Sequence, residues 1–148
     1  MLPTDYKEFI DIYGSGLFCK FLAVWNFRDP SYFKKDLREA LCGEGGIIQW
    51  YKTVRSTGGY QWPYSMYPEP EGLLPFAMVI DVHNLNWHTA GPPDKWDIIL
   101  WFSDGHEFIH LRGDTFAKCL LKMLRNEYQM NDVLQLDPPF EFTLLSAP

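Results

Sequence analysis

The segment GLLPFAMVIDVHNLNW, from Gly72 to Trp87, decides the fold class. Its first half is strongly apolar, which is typical of a buried strand, and its second half carries a histidine and two asparagines. Pro75 lies inside the apolar run, although proline has no amide hydrogen to donate to a neighbouring strand. The segment therefore predicts a sheet in which Pro75 occupies an edge, a first residue or a bulge.

Six segments are predicted to be β-strands because they are rich in apolar residues and bounded by turn formers. They are Leu17–Trp25, Leu73–Asp81, Leu85–Thr89, Trp96–Phe102, Glu107–Leu111 and Glu141–Leu145. The connections in the second half are too short for parallel crossovers, so those strands are antiparallel neighbours. The sequence predicts an antiparallel sheet of about five to six strands.

Four helices are predicted around this sheet, beginning near Pro3, Asp29, Ile47 and Asp114. Proline suits a first helical position, where its missing amide hydrogen costs nothing, and Asp114 is a favourable N-cap residue. Apolar residues then recur at helical spacing. Helices at the two ends of an antiparallel meander give an α+β domain. No repeat or linker divides the chain, so residues 1–148 are interpreted as a single domain.

The charge balance argues against direct binding to nucleic acid. The chain has 13 basic and 19 acidic residues, a formal net charge of −6 at pH 7, whereas phosphate backbones demand clustered Lys and Arg. An acidic protein is better suited to a basic protein partner, because opposite charges accelerate their encounter. We expect a monomer or a weak homodimer.

Cysteine usage and hydropathy indicate the compartment. Cys19, Cys42 and Cys119 are odd in number and widely spaced, which argues against a disulfide framework and for a reducing environment. No basic segment followed by an apolar run begins the sequence, so no signal peptide is predicted. The longest apolar runs fall far short of a membrane span. The sequence therefore predicts a soluble, cytoplasmic protein that does not associate with membranes.

No pattern in the sequence indicates catalysis or a bound metal. His106 and His110 are four residues apart, which suits zinc on a helix, but their surroundings are strand-like. There is no G-x-S-x-G motif, and the glycine-rich segments lack the lysine of a phosphate-binding loop. We therefore expect a protein that is not an enzyme and that holds no metal or cofactor.

The segment YQWPYSMYPEPE, from Tyr60 to Glu71, is the main candidate for binding a partner. Its prolines stiffen the chain, its aromatic rings offer contact area, and its carboxylates would complement a basic protein. The candidate contact residues are Tyr60, Trp62, Tyr64, Tyr67, Glu69 and Glu71. Alternatively, the rings tuck under the loop and cover the sheet, and we favour this interpretation for Trp62.

Three short motifs follow one another along nearly the whole chain. The first is Leu2-Pro3-Thr4-Asp5-Tyr6, at the start of a helix. The second runs from Glu69 to Trp101, EPEGLLPFAMVIDVHNLNWHTAGPPDKWDIILW, and the third is Asp114-Thr115-Phe116 leading to Leu120 and Leu121. In type and order they resemble the motifs of the SUKH superfamily. The resemblance implies that Pro75 lies at the start of the sheet, where its nitrogen faces no partner strand.

This resemblance implies binding rather than catalysis. Bacterial members of the superfamily are typically immunity proteins, which neutralise a cognate polymorphic toxin, often a nuclease or a nucleic-acid deaminase. The expected function is therefore occlusion of a toxin's active site by an acidic surface. The alternative is an intracellular regulatory or scaffold domain of the cell-wall-assembly-regulator type. A third class, a small-molecule-binding or enzymatic domain, would need a deep pocket with convergent polar groups.

Overall fold

The computed structural model describes residues 2–19, 22–27, 41–59, 61–79, 83–102, 107–129 and 141–144. The helices with assigned bounds in these ranges are α1 (Thr4–Tyr13), α2 (Ile47–Thr57) and α3 (Phe116–Leu124), and a short 3₁₀ turn spans Pro93–Lys95. They lie where three of the four helices were predicted. The helix predicted to begin at Asp29 lies outside the described residues, apart from its last turn.

One antiparallel sheet contains all the strands of the described part of the chain. These are β1 (Gly16–Phe18), β2 (Leu22–Val24), β3 (Leu73–Val79), β4 (His83–His88), β5 (Asp97–Phe102), β6 (Glu107–Leu111) and β7 (Phe142–Leu144). Their order across the sheet is β6-β5-β4-β3-β2-β1-β7. The α+β class is thus confirmed, but the sheet has seven strands, more than the sequence predicted.

The additional strand comes from Leu17–Trp25, which was predicted to be a single strand. The segment contains two strands, β1 and β2, which pair so that Phe18 lies opposite Leu22. Cys19 follows β1 with a φ of 52°, in the left-handed region that turns a chain sharply. The prediction was wrong because this apolar run carries no glycine, proline or asparagine to mark the turn.

Pro75 lies in β3, an interior strand between β2 and β4. Of the residues of β3, only Ala77, Met78 and Val79 pair with β2, so no residue of β2 lies opposite Pro75. The pairing with β4 shifts register between Pro75 and Ala77, which marks a bulge. The sheet therefore accommodates proline at an irregularity, where a regular ladder is already interrupted.

One face of the sheet packs against α1 and α3 through aromatic rings. Trp87, Ile98 and Leu111 lie opposite one another on β4, β5 and β6, so their side chains share this face. Tyr6 of α1 meets the Trp87 ring edge-on, with centroids 4.9 Å apart. Phe116 of α3 lies 5.3 Å from Tyr6. All five side chains are buried, and they belong to the main apolar core.

The opposite face packs against α2 and the loop that precedes β3. The hydroxyl of Tyr51, in α2, donates a hydrogen bond of 2.8 Å to Oδ1 of the buried Asn86. Trp62, in the loop, packs on Trp101 of β5 with ring centroids 4.7 Å apart. Because both faces are covered, β3, β4 and β5 are buried along most of their length.

Aspartates from other elements cap the N-termini of α1 and α3. Oδ1 of Asp94, in the 3₁₀ turn, accepts a hydrogen bond of 2.6 Å from the amide of Thr4. Oδ2 of Asp5, in α1, accepts one of 2.9 Å from the amide of Ala117. The prediction that Asp114 caps the last helix was wrong, because its carboxylate accepts from lysine and tyrosine side chains. The carboxylates of Asp94 and Asp5 link the helices and the β4–β5 connection at favourable helix ends.

Candidate functional site

The predicted binding loop and the β4–β5 connection lie at the same end of the sheet. β3 begins at Leu73, opposite His88 at the end of β4, and His88 lies opposite Asp97 at the start of β5. The amide and the hydroxyl of Thr89 donate to the carbonyl of Gly72, at 3.1 and 2.8 Å. We call residues 61–72 and 89–96 the loop end of the sheet.

Backbone hydrogen bonds hold the loop in one conformation. The amide of Tyr67 donates to the carbonyl of Leu73 at 3.0 Å, and the amide of Leu73 donates to Ser65 at 2.8 Å. The amide of Gly72 donates to the carbonyl of Glu69 at 3.0 Å, which closes the tip of the loop. A loop ordered in advance loses less conformational entropy when it binds.

Two parts of the loop approach each other closely at Gly72. A Cβ atom built on it would lie 2.5 Å from the backbone carbon of Met66 and 2.5 Å from the nitrogen of Tyr67. Both neighbours are backbone atoms, which cannot move away independently of the loop. Glycine is therefore required here for close approach of the chain.

Trp62 anchors the loop to the sheet. Its side chain is 6% exposed, and its ring packs against those of Tyr51, Trp101 and Phe108. This is the covering arrangement that we favoured for it, and it leaves little of the ring for a partner. Tyr60, another candidate contact residue, lies outside the described residues.

Tyr64 and Tyr67 combine burial with partial exposure. Both are half-buried and pack against the core. The ring of Tyr64 has its centroid 5.4 Å from that of His88 and 5.5 Å from that of Phe108. Each tyrosine is therefore fixed on one side while its remaining surface lies open at the loop end.

The acidic candidates, Glu69 and Glu71, are exposed at the tip of the loop. The prolines at 68 and 70 beside them are also exposed. Within the described part of the chain, neither glutamate carboxylate has a hydrogen bond or an ion pair. Tyr64 and Tyr67 are thus partly exposed and Glu69 and Glu71 are exposed in the same loop, while Trp62 is buried beneath it.

A hydrogen-bonded pair of His110 and Asp97, which was not predicted from the sequence, lies beside Tyr64. Nε2 of His110 is 2.9 Å from Oδ2 of Asp97, and Oδ1 of Asp97 accepts from the amide of Gly113 at 2.8 Å. Burial raises the pKa of Asp97, but these hydrogen bonds outweigh it and hold the pKa below its usual value. The register of β5 and β6 creates the pair, and strand alternation was its only sequence signal.

The described residues form neither a metal site nor a membrane-spanning helix. In the ranges that the structure describes, no group of three His, Cys, Asp or Glu side chains could hold a metal ion. No helix in those ranges has both the length and the apolar character needed to cross a bilayer. No protein-family model, curated protein or solved structure matches the chain significantly.

Proposed function

We propose that this chain is a SUKH-type immunity protein. It would bind a cognate bacterial polymorphic toxin, a nuclease or a nucleic-acid deaminase, and neutralise it by occluding its active site. The observation that carries the proposal is the loop tip, where Glu69 and Glu71 are exposed and unpaired on a backbone held by hydrogen bonds. The sequence motifs that resemble the superfamily support the same assignment.

The chemistry of the proposed target matches this surface. A nuclease or nucleic-acid deaminase must attract phosphates, so its substrate cleft is basic. Fixed carboxylates on an inhibitor reproduce the charge of that substrate and accelerate the encounter. The half-buried rings of Tyr64 and Tyr67 add contact area of the type enriched in binding hot spots.

The proposal can be tested with the protein encoded by the reading frame adjacent to this one. That protein, expressed alone in a bacterial host, is expected to arrest growth, and co-expression of this chain is expected to restore it. Purification should yield a 1:1 complex whose association rate falls as salt is added. An adjacent protein that is not toxic, or toxicity that this chain fails to relieve, would contradict the proposal.

A complex without protection would instead favour the regulatory or scaffold alternative. Such a domain would bind its partner while leaving the partner's activity intact. A salt-independent association rate would contradict the electrostatic part of the proposal, because steering between exposed charges is screened by ions.

A further inference from the structure

A cleft of about 260 Å³ opens between the N-terminal ends of α1 and α3 and the 3₁₀ turn. Its floor includes the buried rings of Trp87 and Phe116, and Trp96 forms part of its wall. The cleft borders the loop end of the sheet, because the 3₁₀ turn lies within the β4–β5 connection. Its volume is below the roughly 300–1,000 Å³ of pockets for drug-sized ligands, so it suits a single side chain.

The helix N-termini at this cleft are not available to an anion. Helix N-termini ordinarily attract anions through their free amides. Here the amide of Thr4 is bound by Asp94 at 2.6 Å, and the amide of Ala117 is bound by Asp5 at 2.9 Å. The two aspartates line the cleft themselves, so an incoming anion would meet negative charge.

A third carboxylate in the cleft has no partner. Glu8 lines the cleft and is exposed, and its carboxylate makes no hydrogen bond or ion pair with the described residues. None of the described residues that line the cleft is Lys, Arg or His. Hydrogen bonds from Thr4 are the main cause that lowers the pKa of Asp94. The positive charges of Lys7 and Lys95 contribute less to this lowering. The described lining of the cleft therefore contains three carboxylates and no cationic side chain.

The aromatic wall of the cleft is held in place. Nε1 of Trp96 donates a hydrogen bond of 2.9 Å to the carbonyl of Gly91, and its ring centroid lies 6.1 Å from that of Trp87. Trp87 is only 1% exposed, whereas Trp96 is half-buried and offers open ring surface. Indole faces attract cations through their electron-rich π-systems.

We propose that this cleft binds the guanidinium group of one arginine side chain presented by a protein partner. A planar guanidinium can stack on Trp96 while its N–H groups donate to Glu8, a combination that the compact lysine ammonium does not match. The inference rests on the proposed function, because it names the group through which a basic partner docks. The β4–β5 connection, which carries Trp96, is joined to the acidic loop by the hydrogen bond from Thr89 to Gly72.

The test uses nuclear magnetic resonance titration of the full chain with Nα-acetyl-arginine amide. We expect saturable shifts of the Trp96 indole N–H signal. The citrulline derivative, which is nearly isosteric but uncharged, should bind at least about fivefold more weakly, because it lacks the cation. The lysine derivative should also bind more weakly. No saturable shift with arginine, or equal binding of citrulline or lysine, would overturn the inference.

Two charge-matched variants locate the binding. Glu8→Gln should weaken arginine binding about three- to fivefold, the scale of an exposed ion pair. Glu44→Gln, an exposed position with no part in the cleft, should leave it unchanged. If the two variants weakened arginine binding equally, arginine would not be binding in this cleft. If the toxin is neutralised while arginine fails to bind, only this inference is wrong; if arginine binds and no toxin is neutralised, the proposed function is wrong.

Discussion

The two faces of the sheet differ in chemistry, and the binding loop lies on the more polar one. The face under α1 and α3 is built from stacked and edge-on rings, such as Phe76 on Trp87 with centroids 4.3 Å apart. The face under α2 and the loop buries Asn86 and half-buries His88 and His110 among its rings. The burial of apolar side chains stabilises a fold without requiring a particular geometry, whereas hydrogen bonds require a defined distance and angle between two groups. A loop that must be placed accurately benefits from the second kind of support.

On the polar face, both polar atoms of the buried Asn86 side chain have hydrogen-bond partners. Its Oδ1 accepts from Tyr51 at 2.8 Å, and its Nδ2 donates to the carbonyls of Asn84 at 3.0 Å and Ile99 at 3.3 Å. A buried amide without such partners would cost about 1–3 kcal/mol. The network therefore joins α2, β4 and β5 in one arrangement, next to the rings that hold Trp62.

The largest loss of stability is expected from a substitution on the apolar face. Phe76→Ala should lower the free energy of unfolding by about 3–5 kcal/mol, because it removes a buried ring and leaves a cavity. Chemical denaturation at 25 °C measures the change. Ile12→Ala is the control, since Ile12 is 74% exposed and should change stability by less than about 0.5 kcal/mol. A loss below about 1 kcal/mol for Phe76→Ala would contradict the assigned core.

Gly72→Ala should damage the loop and the binding together. The new Cβ would lie 2.5 Å from backbone atoms of Met66 and Tyr67, so we expect a loss of about 1–3 kcal/mol in stability and weaker complex formation. Gly45→Ala is the comparison, because nothing lies within 4 Å there and only the φ of 76° opposes it. It should cost about 1–2 kcal/mol and leave partner binding intact. Unimpaired binding by Gly72→Ala would show that the loop conformation is not needed.

Tyr51→Phe tests the directional bond of the polar face. It removes the donor to Asn86 Oδ1 and leaves that buried oxygen unsatisfied, so stability should fall by about 1–2 kcal/mol. Tyr13→Phe makes the same chemical change at a residue that is 43% exposed and should cost less than about 0.5 kcal/mol. Equal losses in the two variants, measured by denaturation, would mean that the Tyr51 bond contributes nothing specific.

Local patterns predicted most of the described fold because each element carried its own signal. The strand Glu107–Leu111 has the predicted bounds, and β3, β4 and β5 lie within two residues of theirs. Apolar runs between turn formers are sufficient for this. The turn at Cys19 had no such signal. The capping of α3 by Asp5 depends on how the helices pack, so the sequence favoured Asp114 instead.

The candidate site was less predictable because its geometry depends on strand register. The exposure of Glu69 and Glu71 could be anticipated from a proline-rich acidic segment, and the burial of Trp62 was the favoured interpretation. The contact between His110 and Asp97 joins two strands that were predicted to be neighbours, but whose register was not predicted. The cleft joins the ends of α1, β4 and α3, which are far apart in sequence.

The smallest effect on stability, and the most informative one for function, is expected at the loop tip. The double variant Glu69→Gln, Glu71→Gln should change the free energy of unfolding by less than about 0.5 kcal/mol, because both side chains are exposed and unpaired. Its association with the toxin should slow about two- to fivefold at low salt, since two steering charges are lost.

The matched control for the loop tip is Glu44→Gln, Glu107→Gln, which removes the same net charge at exposed positions elsewhere, with Glu107 at the opposite end of the sheet. If position matters, only the loop-tip variant slows association, and the difference disappears at high salt, where exposed charges are screened. If both variants slow association equally, the net charge of the protein steers the encounter. The loop end of the sheet would then have no special role in it, and the polar face would serve stability alone.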